Sequence, residues 1–172
     1  MPNREKSIEL LNKAIGEELS AVHQYMYFHF HCDDQVLDML AGIFKKTAIE
    51  EMIHIETLAE RVLFLNGEIE MVASQPVQKI NTVKEMIDFA RKSEDEAIEM
   101  YNEFAKICAE NKDSATKKIF EALVDDEERH FDQFDNEMDN FEKFGKEYLA
   151  LQAVERGKGI ATMPPGHPVI QP

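Results

Sequence analysis

Glu51-Met52-Ile53-His54 and Glu127-Glu128-Arg129-His130 are two copies of one short pattern, Glu-x-x-His, and their reading decides the fold. At i and i+3 the glutamate and the histidine leave the same face of a helix, so each copy can grip a metal ion from one side. A single copy in a glutamate-rich helix says little. Two copies at matched register say much more.

The register holds beyond the motifs. Glu127 follows Glu51 by 76 residues, and Glu94 follows Glu18 by 76. Each of these earlier glutamates precedes its Glu-x-x-His by 33 residues. Tyr25 and Tyr101 are also 76 apart, each seven residues beyond its glutamate, which is two turns along the same helical face. The chain reads as two copies of a helical hairpin related by a pseudo-two-fold axis through a shared site.

Apolar periodicity supplies the helices. Ile8, Leu11, Ile15, Leu19, Val22 and Met26 recur at helical spacing, which predicts a first helix from about residue 4 to the Cys32-Asp33-Asp34 region. Leu37, Leu40, Phe44, Ala48, Ile55, Leu58 and Val62 mark a second, stopping at Asn66-Gly67. Thr82 with Glu85 reads as a capping box opening a third, which ends near Asn111. Asp113 or Ser114 caps a fourth, running to Phe144-Gly145, and Tyr148 to Arg156 reads as a short fifth. The predicted class is all-α.

Short links make antiparallel hairpins of helices one and two and of helices three and four. The link of about fourteen residues between the second and third can span the bundle. The expectation is a ferritin-like four-helix bundle with one long crossover. Residues 1–156 would form the metal-binding domain. Residues 157–172, rich in Gly and Pro, read as an irregular tail.

Charge balance selects the chemistry. Four buried glutamates without counter-charge would cost several kcal/mol each. Two divalent cations balance them, and the six residues fall among apolar positions such as Leu19, Ile55 and Phe131. Carboxylates with imidazole suit iron or manganese. The whole chain carries 34 acids against 19 bases, a formal charge of −15, which repels nucleic acid and anionic membranes and attracts cations. No apolar run approaches a membrane span, and Met1-Pro-Asn-Arg-Glu-Lys has no apolar leader region. Two cysteines, Cys32 and Cys108, make neither a disulfide framework nor a zinc site. A reducing cytoplasm fits. Fourteen residues beyond Glu18 and Glu94 respectively, the thiols are expected at opposite ends of the bundle, roughly 40 Å apart and unbonded.

These residues resemble the bacterioferritins. Glu18, Tyr25, Glu51, Met52, His54, Glu94, Glu127 and His130 fall as they do in that family. So do Ile49-Glu-Glu-Met-Ile-His, Ala59-Glu-Arg-Val-Leu-Phe-Leu-Asn-Gly, Asp125-Asp-Glu-Glu-Arg-His and Tyr148-Leu, over residues 4 to 156. The resemblance implies a ferroxidase that oxidises Fe(II) with O2 or H2O2 and stores ferric mineral inside a homo-oligomeric shell of 24 subunits. It implies Glu18, Glu51, His54, Glu94, Glu127 and His130 as catalytic metal ligands for two iron ions. Glu51 and Glu127 would bridge, Glu18 with His54 would complete one ion, and Glu94 with His130 the other. Tyr25 and Tyr101 would hold terminal carboxylates in place, or simply pack in the core. Met52 points about 100° from the metal face. The resemblance makes it the axial ligand of a haem, or related iron porphyrin, shared with the same methionine of a second subunit; the alternative is packing at a dimer interface. A ferredoxin-type reductant for releasing iron is implied as a partner.

The sequence departs from some relatives at Lys46, where they carry a histidine, and at Glu50, where they carry an aspartate. Both bear on the route from centre to cavity. Three rival readings fit less well. A rubrerythrin-like peroxidase usually adds an iron site of four cysteines, which two cannot make. A DNA-shielding mini-ferritin places its sites between subunits, whereas all six ligands here come from one chain. A haem-bearing electron carrier or a passive iron sink would consume no oxidant when ferrous iron is added.

Overall fold

Both hairpin turns are built the same way. In the computed structural model, which describes residues 4–151 and residue 154, the Leu37 N–H donates to the Cys32 carbonyl and the Asp113 N–H to the Cys108 carbonyl. Val36 and Lys112, one residue earlier, sit at φ 62° and 61°. This left-handed residue with its long return bond is how a helix is stopped and reversed within a few residues. The two turns are again 76 residues apart. They join α1 (Arg4–Asp34) to α2 (Asp38–Phe64) and α3 (Val83–Glu110) to α4 (Ser114–Phe144). Asp113 caps α4 by accepting from the Thr116 N–H. Helix resumes at 146 after Gly145, and the predicted fifth helix is followed as far as the described residues go. The 157–172 tail lies outside them.

Beyond α2, Asn66 sits at φ 59° and the Gly67 N–H donates to the Val62 carbonyl. The chain then runs the length of α1. Asn12 donates to the Glu68 carbonyl and accepts from the Glu70 N–H. The Ser74 N–H donates to the Gly16 carbonyl, Gln24 pairs with the backbone of Gln78, and the Tyr27 hydroxyl donates to Asn81. Gly16 permits this approach, because a Cβ there would lie 3.1 Å from the Val72 carbonyl oxygen. α3 therefore starts beside the end of α1 and runs antiparallel to it, as the long crossover predicts. Thr82 departs from the expected capping detail: its hydroxyl bonds the Glu85 side chain and makes no bond to a backbone N–H.

The core is in two parts. One cluster gathers Phe28, Leu40, Phe44, Met86, Ile87 and Phe134. The other gathers Leu11, Ile15, Leu58, Val62, Phe104 and Phe120. Cys32 belongs to the first and Cys108 to the second, both buried and free, as the helix arithmetic expects. No described helix is long and apolar enough to cross a membrane.

Candidate metal centre

The gap between the two clusters is filled by charge. Glu18 on α1, Glu51 and His54 on α2, Glu94 on α3, and Glu127 and His130 on α4 are each 5% exposed or less. They fall into two quartets, each with one oxygen or nitrogen per residue within 4.8 Å of the others. The first holds Glu18, Glu51, His54 and Glu127; the second holds Glu51, Glu94, Glu127 and His130. Glu51 and Glu127 are common to both. All six residues singled out in the sequence are thus brought together.

The donor atoms face inward, and one pair bonds within the set, His130 Nδ1 to Glu127 Oε2 at 2.9 Å. His54 Nδ1 lies 2.8 Å from Glu51 Oε2 and 3.3 Å from both Glu18 Oε1 and Glu127 Oε1. It makes no hydrogen bond, and neither does either oxygen of Glu51. Buried polar atoms are seldom left so, and an orphaned set of hard oxygens with imidazole nitrogen fits a divalent cation.

Electrostatics agree. Burial, and after it the charges of Glu51 and Glu127, push the Glu18 and Glu94 carboxyls well above the usual range. Burial also opposes charge on Glu127, yet its close contacts with His130 and His54 outweigh it and hold that group down at about 2. Burial disfavours a charged His130, but its close contacts with Glu127 and Glu51 raise it to about 11; His54 is raised by its contacts with Glu127, Glu18 and Glu51. A cation that binds here displaces protons, so its affinity rises with pH.

The tyrosines act across the bundle. The Tyr25 hydroxyl on α1 donates to Glu94 on α3, and the Tyr101 hydroxyl on α3 donates to Glu18 on α1. Each thus holds the glutamate of the other hairpin and not the one on its own helix. A cavity of about 620 Å³ reaches the centre between α1 and α3 beneath Gln75, Pro76 and Gln78, with Glu18, Tyr25, Glu51, Glu94, Tyr101 and Glu127 in its lining.

On the α2 and α4 side the outward imidazole nitrogens meet two further acids. His130 Nε2 is hydrogen-bonded to Glu50 Oε2 at 2.8 Å, and His54 Nε2 lies 3.4 Å from Asp126 Oδ2. Each acid sits on the opposite helix from its histidine, one residue before the shared glutamate. Sequence reasoning did not give Glu50 and Asp126 this role, although they too stand 76 residues apart.

Residues 8–144 match the ferritin-like domain model of the ferritin family. Bacterioferritin of Desulfovibrio desulfuricans is 38% identical over 145 residues, covering 84% of this chain and 81% of that one. Its crystal structure, described with the di-iron site in different catalytic states, superposes with a TM-score of 0.86 at 37% identity, over 87% of this chain and 88% of that one. The chain belongs to the bacterioferritin family. Iron storage with ferroxidase activity is the general activity that membership carries. A second bacterioferritin, from Rhodobacter capsulatus, superposes with a TM-score of 0.85 at 29% identity over 98% of this chain and 100% of its own. It is described with a metal-free dinuclear site and a haem iron in a crystallographic special position. In this bacterioferritin chain Met52 lies outside the centre, 51% exposed, between the exposed Ile49 and Ile53.

Proposed function

We propose that this chain oxidises two Fe(II) ions per turnover at the Glu18, Glu51, His54, Glu94, Glu127 and His130 centre, with O2 or H2O2 as acceptor, and stores the ferric product inside a shell of 24 copies. The single observation that carries the reading is the pair of quartets sharing two glutamates. Glu51 and Glu127, common to both quartets, would serve both ions, Glu18 with His54 would complete one, and Glu94 with His130 the other. Bound there, iron would supply the redox chemistry: two Fe(II) ions give up two electrons, which with two protons from solvent turn one peroxide into two waters. The protein's part is to hold the donors converged. Tyr25 and Tyr101 fix the terminal carboxylates, and Glu50 and Asp126 orient the imidazoles. The cavity between α1 and α3 gives small reactants a path, lined by Glu17 and Glu96 together with Lys13 and Lys92.

The exposed Ile49, Met52 and Ile53 support a second proposal. The same face of another copy would cover it, and Met52 of each copy would hold a haem placed between them. Thioether sulfur is soft and suits ferrous haem. A ferredoxin-type protein is the proposed reductant for iron release, and the cytoplasm the proposed location. The test is oxidant uptake. Adding Fe(II) to the metal-free shell should consume O2 or H2O2 in fixed proportion, and Glu51→Ala or His130→Ala should abolish the fast phase while the shell still assembles. A variant oxidising iron at the parent's rate would remove the ligand assignment.

A further inference from the structure

Arg129 lies on the α2 and α4 side of the centre, away from the cavity. Its Nη1 donates to Glu50 Oε2 at 3.1 Å and its Nη2 to Asp126 Oδ1 at 3.0 Å. These are the two acids that face the outward nitrogens of His130 and His54. One guanidinium thus joins the supports of both histidines, which come from different helices. Lys46 adds charge at 3.7 Å from the other Glu50 oxygen.

We propose that Arg129 is a positioning residue of the centre, a strap that holds Glu50 and Asp126 so that both imidazoles keep Nδ1 turned onto the metal points. This rests on the di-iron reading. The planar fork suits the task, because two donors of one rigid group reach two carboxylates at once. A lysine ammonium presents a compact charge on a flexible stem and fixes neither oxygen in a plane. The strap also explains why Glu50 carries the longer side chain. It spans from α2 to both Arg129 and His130, and its 2.8 Å bond is closer than the 3.4 Å contact of the shorter Asp126.

The experiment is cobalt(II) titration of the full-length, metal-stripped shell, followed by visible absorbance, with release timed by transfer to excess chelator. Arg129→Ala should weaken both cobalt sites together by about tenfold, the low end for loss of support to a ligating histidine. Release should quicken by a similar factor. Arg129→Lys should recover only part of the loss. Metal-free Arg129→Ala should melt within about 2 °C of the parent, as should the control Lys106→Ala, whose exposed pair with Glu103 lies on α3 well beyond Glu94. Affinity and release within twofold of the parent would overturn the strap. So would full recovery by lysine, since charge alone would then suffice, or a large fall in metal-free melting temperature, which would make the effect structural. A parent shell that binds no pair of cobalt ions would overturn the di-iron reading itself and the strap with it.

Discussion

Glu51→Leu should make the metal-free protein more stable and the metal-loaded protein less so. Glu51 is 1% exposed, and its two oxygens have no hydrogen-bond donor. Its charge also opposes those of Glu18 and Glu94. Leucine fills nearly the same volume, so neither a large cavity nor overpacking results. The losses are contacts at 2.8 Å to His54 and 3.2 Å to His130. Both histidines keep other partners: His54 keeps Glu18 and Glu127, and His130 keeps Glu127 at 2.9 Å. Replacing a whole buried ion pair by packed hydrophobes commonly gains 1–4 kcal/mol; because both histidines keep carboxylate partners and no charge is left bare, about 2 kcal/mol is expected here, or roughly 4–8 °C in Tm. Saturating cobalt reverses the order. At a thousandfold excess over Kd the parent gains about 4 kcal/mol for each site, while the variant, lacking a residue of both quartets, gains little. Differential scanning calorimetry with chelator and then with cobalt reads both halves. A metal-free variant that melts below the parent, or one that shifts with cobalt as the parent does, would refute the reasoning.

Three other outcomes are expected. Met52→Leu should leave a folded shell with ferroxidase activity and no haem; an unchanged haem spectrum would exclude the bis-methionine ligation. Tyr25→Phe should weaken cobalt binding about tenfold in the parent and add nothing to Glu94→Gln, while Tyr101→Phe should show the same dependence on Glu18; pairing the other way round in a double-mutant cycle would contradict the crossed bonds. Asp113 accepts from Ser7 and Thr116 and pairs with Arg61 at 2.9 Å, so Asp113→Ala should cost about 3 kcal/mol without touching metal binding. Burial raises the Asp113 carboxyl, but bonds from Thr116 and Ser7 and the Arg61 charge outweigh it and leave the group below its ordinary 3.8. That stability is therefore full above 3.8 and fades as pH falls toward the folded value, so parent and variant should converge in acid denaturation.

The helices, the crossover and the six converging residues were legible because each leaves a period in the sequence: apolar residues at helical spacing, and chemistry at 76. Glu18, Glu51 and His54 have counterparts at Glu94, Glu127 and His130, and burial without metal would be too costly. The crossed tyrosines were not legible. Seven residues after Glu18, Tyr25 shares a face with it, yet two turns part them along the axis, and only antiparallel packing brings Glu94 level with Tyr25. The period does contain Glu50 and Asp126, but acids on a charged helix resemble solvated surface until a histidine nitrogen is placed against them. Arg129 breaks the period, since its counterpart is Ile53, and only the geometry discloses it.

The crossover along α1 has a consequence for how the centre is assembled. Each quartet takes three residues from one hairpin and one from the other, so neither hairpin alone supplies a complete quartet. Severed at the crossover, the halves would have to find each other by diffusion, and occupancy would fall on dilution. Joined, each half meets its complement at the millimolar effective concentration that a short tether imposes. Metal capacity then scales with the number of chains and is independent of how dilute they are.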